Sequence, residues 1–183
     1  MPELERLRWQ LDVSWSLLSL HLKHVSDEEA LWEPASNCWS VRRRPDGTWA
    51  ADWAADWAVP EPEPIPALSV GWVMWHIGFW WSHAHTQCFG KPDAALDWSQ
   101  AAALTPWPGD VASAVSWLNE CHVQWTTALD ALSEADLDST ERTGWFADGS
   151  LPLGHVFAWA NLELMKNAAE IGAVRHLRNA DRT

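Results

Sequence analysis

From Glu3 to about Val25 the apolar residues Leu4, Leu7, Leu11, Trp15, Leu18, Leu22 and Val25 recur at separations of three and four. That is the period of one buried helical face, and it predicts a first helix over 3–25. Ser69 is a plausible N-cap for a second helix over 70–89, in which Val70, Val73, Met74, Ile77, Trp81, Ala84 and Cys88 keep the same spacing until Gly90 stops it. A third helix over 110–132 follows from Val111, Ala114, Val115, Leu118, Cys121, Trp125, Leu129 and Leu132. The fourth, over 153–177, follows the Asp148-Gly149-Ser150 turn. Pro152 suits its first turn, and Arg175, His176 and Arg178 suit the negative end of its dipole.

Between the first two helices the periodicity is lost. Trp32-Glu33-Pro34, Arg42-Arg43-Arg44-Pro45-Asp46-Gly47 and Pro60-Glu61-Pro62-Glu63-Pro64 all break regular structure. Ala51-Asp52-Trp53-Ala54 is repeated at once as Ala55-Asp56-Trp57-Ala58, which reads as loop decoration or a single helical turn. A second irregular stretch, 91–109, carries Pro92, Pro106 and Pro108. No segment alternates with a period of two between hairpin turns, so the expected fold is all-α, a four-helix bundle with long irregular connections after its first two helices. Those connections free the topology from a simple up-and-down order.

Length and composition narrow the function classes. A chain of 183 residues, 48% apolar and 20% charged, suits one globular domain spanning 1–183. Its net charge of −13 has the wrong sign for gripping nucleic acid or an anionic membrane surface. The acidic, amphipathic opening Met1-Pro2-Glu3-Leu4-Glu5-Arg6 is unlike an export signal, and no apolar run approaches the roughly 20 residues that span a bilayer. Cys38, Cys88 and Cys121 have neither a paired count nor a metal-ligand spacing, so a reducing, cytoplasmic setting is expected. The chain has 17 Trp, four Phe and no Tyr, so its aromatic bulk is almost all indole.

Polar residues interrupt the stripes at informative places. His76 lies between Val73 and Trp80 on a helix that should be largely buried. Glu163, Asn167 and Glu170 stand at i, i+4 and i+7, within about 40° and 20° of one another on an ideal helix. One arrangement open to them is a metal site, with His76 from one helix and Glu163 and Asn167 from a facing helix. Glu is an ordinary ligand for such an ion, whereas an Asn amide is a poor one. The other is a satisfied core histidine, bonded to Glu163 or a backbone carbonyl, with Asn167 closing a hydrogen-bond network.

Gly71-Trp72-Val73-Met74-Trp75-His76-Ile77-Gly78 and Asn161-Leu162-Glu163-Leu164-Met165-Lys166-Asn167-Ala168-Ala169-Glu170-Ile171-Gly172 resemble the second- and fourth-helix motifs of the DinB-like (YfiT-related) four-helix bundle superfamily. The likeness is closest to a Trp-rich, actinobacterial-type branch, and it covers essentially the whole chain. It implies a metal site at His76, Glu163 and Asn167, holding a divalent ion such as zinc, nickel or manganese. Glu163 and Asn167 stand where the family carries histidines, and Glu170 where it often carries Gln. Characterised relatives include transferases and isomerases that use low-molecular-weight thiols, so the resemblance implies a metal-dependent enzyme of that type. In it Glu170 would be a catalytic or second-layer group, with a metal-bound thiolate as nucleophile.

Two further readings stay beside it. In one, a metal-free bundle with no cofactor binds a small molecule or serves a stress response, with Trp72, Trp75 and Trp80 lining a pocket for an apolar or cationic ligand. In the other, apolar faces left uncovered by the bundle form a homodimer. Arg42, Arg43 and Arg44 are the one basic cluster, readable as a solvated loop or as an anion clamp. Cys38 is the better candidate for a reactive thiol, while Cys88 and Cys121 fall on core stripes.

Overall fold

The computed structural model describes residues 1–53, 63–91 and 96–181. Four long helices carry the structure: α1 (Glu3–Leu22), α3 (Val70–Phe89), α5 (Val111–Asp130) and α7 (Leu153–Asp181). Three short ones, α2 (Asp27–Ala30), α4 (Trp98–Ala103) and α6 (Glu134–Leu137), lie in the connections.

The cross-helix contacts fix the direction of each long helix. Asn161 of α7 donates from Nδ2 to the Leu7 carbonyl at 2.9 Å, and the His21 ring lies over Gly172, so α1 and α7 run parallel. Arg8 pairs with Asp130 and the Trp15 ring stacks on His122 at 4.2 Å, so α1 and α5 are antiparallel. Ser82 meets Cys121 at 3.3 Å while Gly78 meets Trp117, so α3 and α5 are parallel. Trp80 reaches Asn167 while Phe89 reaches Phe157, which sets α3 antiparallel to α7. The order is therefore up, down, down, up. Two parallel neighbours require the α3–α5 connection to travel back along the bundle, and Trp75 Nε1 donating to the Thr105 carbonyl at 2.8 Å marks its path against α3.

The 26–68 connection holds more order than its breakers suggest. Strand β1 (Cys38–Trp39) pairs in parallel with β4 (Ala67–Leu68), and β2 (Val41–Arg43) pairs antiparallel with β3 (Trp49–Ala51). Strands of two or three residues are too short to display a period-two pattern, so the sequence shows no sign of them. The first copy of the tandem repeat ends β3 and leads to Trp53; the second copy lies outside the described residues. Among the described residues of 91–109, α4 is the helical segment, opened by a capping box in which Asp97 accepts from Gln100 N at 2.7 Å.

One core of Leu, Val, Ala and indole fills the bundle, and Trp72, Trp75, Trp80, Trp81 and Trp125 are almost wholly removed from solvent. Among the described residues no helix is long and apolar enough to cross a membrane.

Candidate functional site

A cleft of about 290 Å³ opens between α3 and α7. Helix α3 contributes His76, Phe79 and Trp80, spaced three and four apart on one face. Helix α7 contributes Trp159, Glu163 and Lys166, which on an ideal helix fall within about 60° of one another. Trp53 closes one side from the strand-bearing connection, and Trp98 closes another from the first turn of α4.

The ring of His76 packs face to face on Trp72 at 4.9 Å and lies 6.2 Å from Trp53. Burial, reinforced by the Lys166 ammonium, pushes its imidazole down to about 3, so it is neutral in the physiological range. Lys166 Nζ pairs with Glu163 Oε2 at 2.7 Å, one turn apart on α7. The Glu163 side chain is 25% exposed and that of Lys166 50%, so the carboxylate is the more deeply seated partner.

Asn167 is buried on the flank of that stripe, outside the cleft lining. Its Oδ1 accepts from Trp80 Nε1 at 3.3 Å and its Nδ2 donates to Glu170 Oε2 at 2.8 Å. Glu170 is thereby placed as the acceptor that orients Asn167, beyond the cleft lining. Of the three indoles expected around a pocket, Trp80 lines the cleft. Trp72 lies beneath His76 and donates to the Asp52 carbonyl at 2.6 Å, and Trp75 lies beneath Phe79 with ring centroids 5.2 Å apart. Sequence reasoning missed Trp53, Phe79, Trp98, Trp159 and Lys166. The helical offsets from Trp159 to Glu163 and Lys166 carried a signal for two of them; Trp53 and Trp98 arrive through connections and carried none.

The donor set can be tested against a divalent ion. A resident metal of the family kind needs three neutral or anionic donors converging on one point. Here His76 and Glu163 face the cleft, the Asn167 amide is engaged at both ends, and an ammonium sits on Glu163. Among the described residues no group of three or more His, Cys, Asp and Glu is gathered to hold an ion. Two donors and a lysine do not fit a resident divalent metal as they are placed.

The other sequence candidates resolve into structure. Arg42 is no open anion clamp, since it donates to Glu33 at 2.7 Å and to Asp52 at 2.8 Å and so ties β2 to its surroundings. Cys38 is buried, and burial together with Glu33 pushes its thiol up to about 11, the opposite of a reactive thiolate. Burial likewise raises Cys88 to about 11, and Cys121 is raised as well. His83 packs on Trp98 at 4.3 Å, and His85 lies near Phe89 and Trp125.

An up-down-down-up bundle with a cleft between its second and fourth long helices defines the class of protein. The family model described as DinB superfamily matches residues 10–171, and the chain belongs to that superfamily. A conserved protein from Enterococcus faecalis, known from a crystal structure, is similar in fold. It shares 16% identity and a TM-score of 0.58, with 97% of each chain covered. No curated protein matches the chain.

Proposed function

We propose that this protein is a small-molecule-binding member of the DinB superfamily whose α3–α7 cleft works without a resident metal. The observation that carries this reading is the Lys166–Glu163 pair at 2.7 Å in the cleft that His76 lines, which sets a positive charge against the carboxylate that would ligate an ion. Aromatic walls with a few converging polar groups are the ordinary make-up of a small-molecule site. Its volume of about 290 Å³ sets a small ligand.

A second reading, a divalent-metal-dependent transferase or isomerase acting on a low-molecular-weight thiol, is favoured by one observation: His76 and Glu163 face the same cleft. Elemental analysis of protein purified without chelator or a metal-binding tag separates the two. The proposal expects far less than one zinc, nickel or manganese per chain, unchanged in His76→Ala, and ligand-induced indole fluorescence changes indifferent to EDTA. Near-stoichiometric metal that is lost in His76→Ala would overturn it and establish the metal-dependent reading.

A further inference from the structure

The cleft's aromatic walls meet at steep angles rather than lying in one stack. Phe79 stands edge-on to Trp53 at 75° and to Trp98 at 83°, and Trp80 meets Trp159 at 59°. Rings set this way form the sides of a box. The Trp80 indole N–H, which would otherwise offer a positive edge, is turned to Asn167. Ring faces carry the negative part of the aromatic quadrupole, so a box of indoles favours a positive guest.

Two charges line the cleft, Glu163 and Lys166, and the carboxylate is the deeper of them. Glu163 is its anion. Lys166 already occupies the cation position from within the chain. Its side chain is half exposed and carries the ammonium on a flexible four-carbon stem, so swinging the ammonium into water costs little, whereas the deeper carboxylate is held closer to the helix. An anionic guest would instead lie beside Glu163 in a protein whose net charge is −13, with like charges opposed at short range.

We infer that the cleft binds a small organic cation of the ammonium type, its head held by Glu163 within the box of Trp53, Phe79, Trp80, Trp98 and Trp159 and displacing Lys166. This inference rests on the small-molecule-binding reading and adds the ligand class to it. Lys166 is then a built-in competitor, holding the carboxylate until a better cation arrives.

The test is titration calorimetry on the full chain with choline, its uncharged isostere 3,3-dimethyl-1-butanol, and benzoate. Saturable choline binding is expected, with the isostere about tenfold weaker or more, since loss of the charge removes both the cation–π and the carboxylate attraction. Glu163→Gln should weaken choline by about tenfold, and Lys166→Met should tighten it by removing the competitor. Far-UV circular dichroism checks that both variants fold; Lys166 is exposed enough for its variant to stay native. Choline binding no tighter than the isostere, or none at millimolar concentration, would overturn the inference. So would benzoate binding that Lys166→Met abolishes, and that result would leave the small-molecule cleft standing with an anionic ligand. If none of the three probes binds and none shifts the indole emission, the small-molecule reading of the cleft falls as well.

Discussion

Gly78 and Gly172 show how a single missing side chain sets the distance between helices. A Cβ at Gly78 would lie 2.5 Å from the Trp117 ring of α5, and one at Gly172 would lie 2.6 Å from the His21 ring of α1. Neither glycine has an unusual backbone; each makes room for an aromatic ring from the neighbouring helix. Gly78→Ala should therefore destabilise the fold by about 1–3 kcal/mol, since the Trp117 ring must shift away from α3. A thermal melt followed by circular dichroism checks this, and a variant as stable as the parent would show that Trp117 repacks freely. At the same scale, the place of His76 on the face of α3 that lines the cleft was legible from its stripe. Asn167 was legible only as a polar intruder, because its partners Trp80 and Glu170 are chosen by the rotamers and packing of two helices.

Elements begin where a side chain can take up orphan backbone N–H groups. Ser69, fully buried, accepts from Trp72 N at 3.2 Å at the start of α3, and Asp110 accepts from Ser113 N at 2.7 Å at the start of α5. Both starts were readable. The ends were less so: α1 stops at Leu22 rather than 25, because Lys23 is extended and His24 takes a positive φ of 69°. Helix α7 runs on to Asp181, beyond the expected 177. Its last turns are held by a contact the sequence does not announce. Glu29 of α2 accepts from Arg175 Nε at 2.7 Å and lies 4.0 Å from Arg178, whose Nη2 donates to Glu28 at 2.7 Å. Glu29 and Arg178 are both buried, and the network runs from them out to the exposed Glu28. Glu29→Ala should cost about 3 kcal/mol, because it leaves the largely covered Arg175 guanidinium without its carboxylate. Denaturant unfolding measures the loss, and a cost below that of an exposed pair would show that water reaches the arginines.

Across the whole molecule, burial sets the pH range of stability. It lowers the pKa of His21, His83, His85 and His122, with Arg175 adding to the effect at His21. As pH falls below about 6.5 the unfolded chain takes up these protons before the folded chain does, so stability is lost on acidification. At the other end, the thiols of Cys38 and Cys88, raised to about 11, favour unfolding once pH rises past about 8.5, where an unfolded cysteine ionises. Thermal midpoints are therefore expected to peak between these limits and to drop from pH 7.5 to 5.5. A midpoint that rises on acidification would contradict the burial of these imidazoles.

The sequence by itself determined the four long helices and the all-α class, because a three-four apolar period over some twenty residues has no other compact solution. It also placed His76 and Glu163 on helix faces that meet. The tertiary structure alone decided what surrounds them. Trp53 and Trp98 come to the cleft from connections whose course no local pattern encodes, Trp98 from the first turn of α4. Lys166, readable only as one more surface charge, became part of the site once α3 lay against α7 and its ammonium found Glu163. Helix periodicity is a property of neighbours in sequence, whereas the composition of a cleft depends on which distant faces come together.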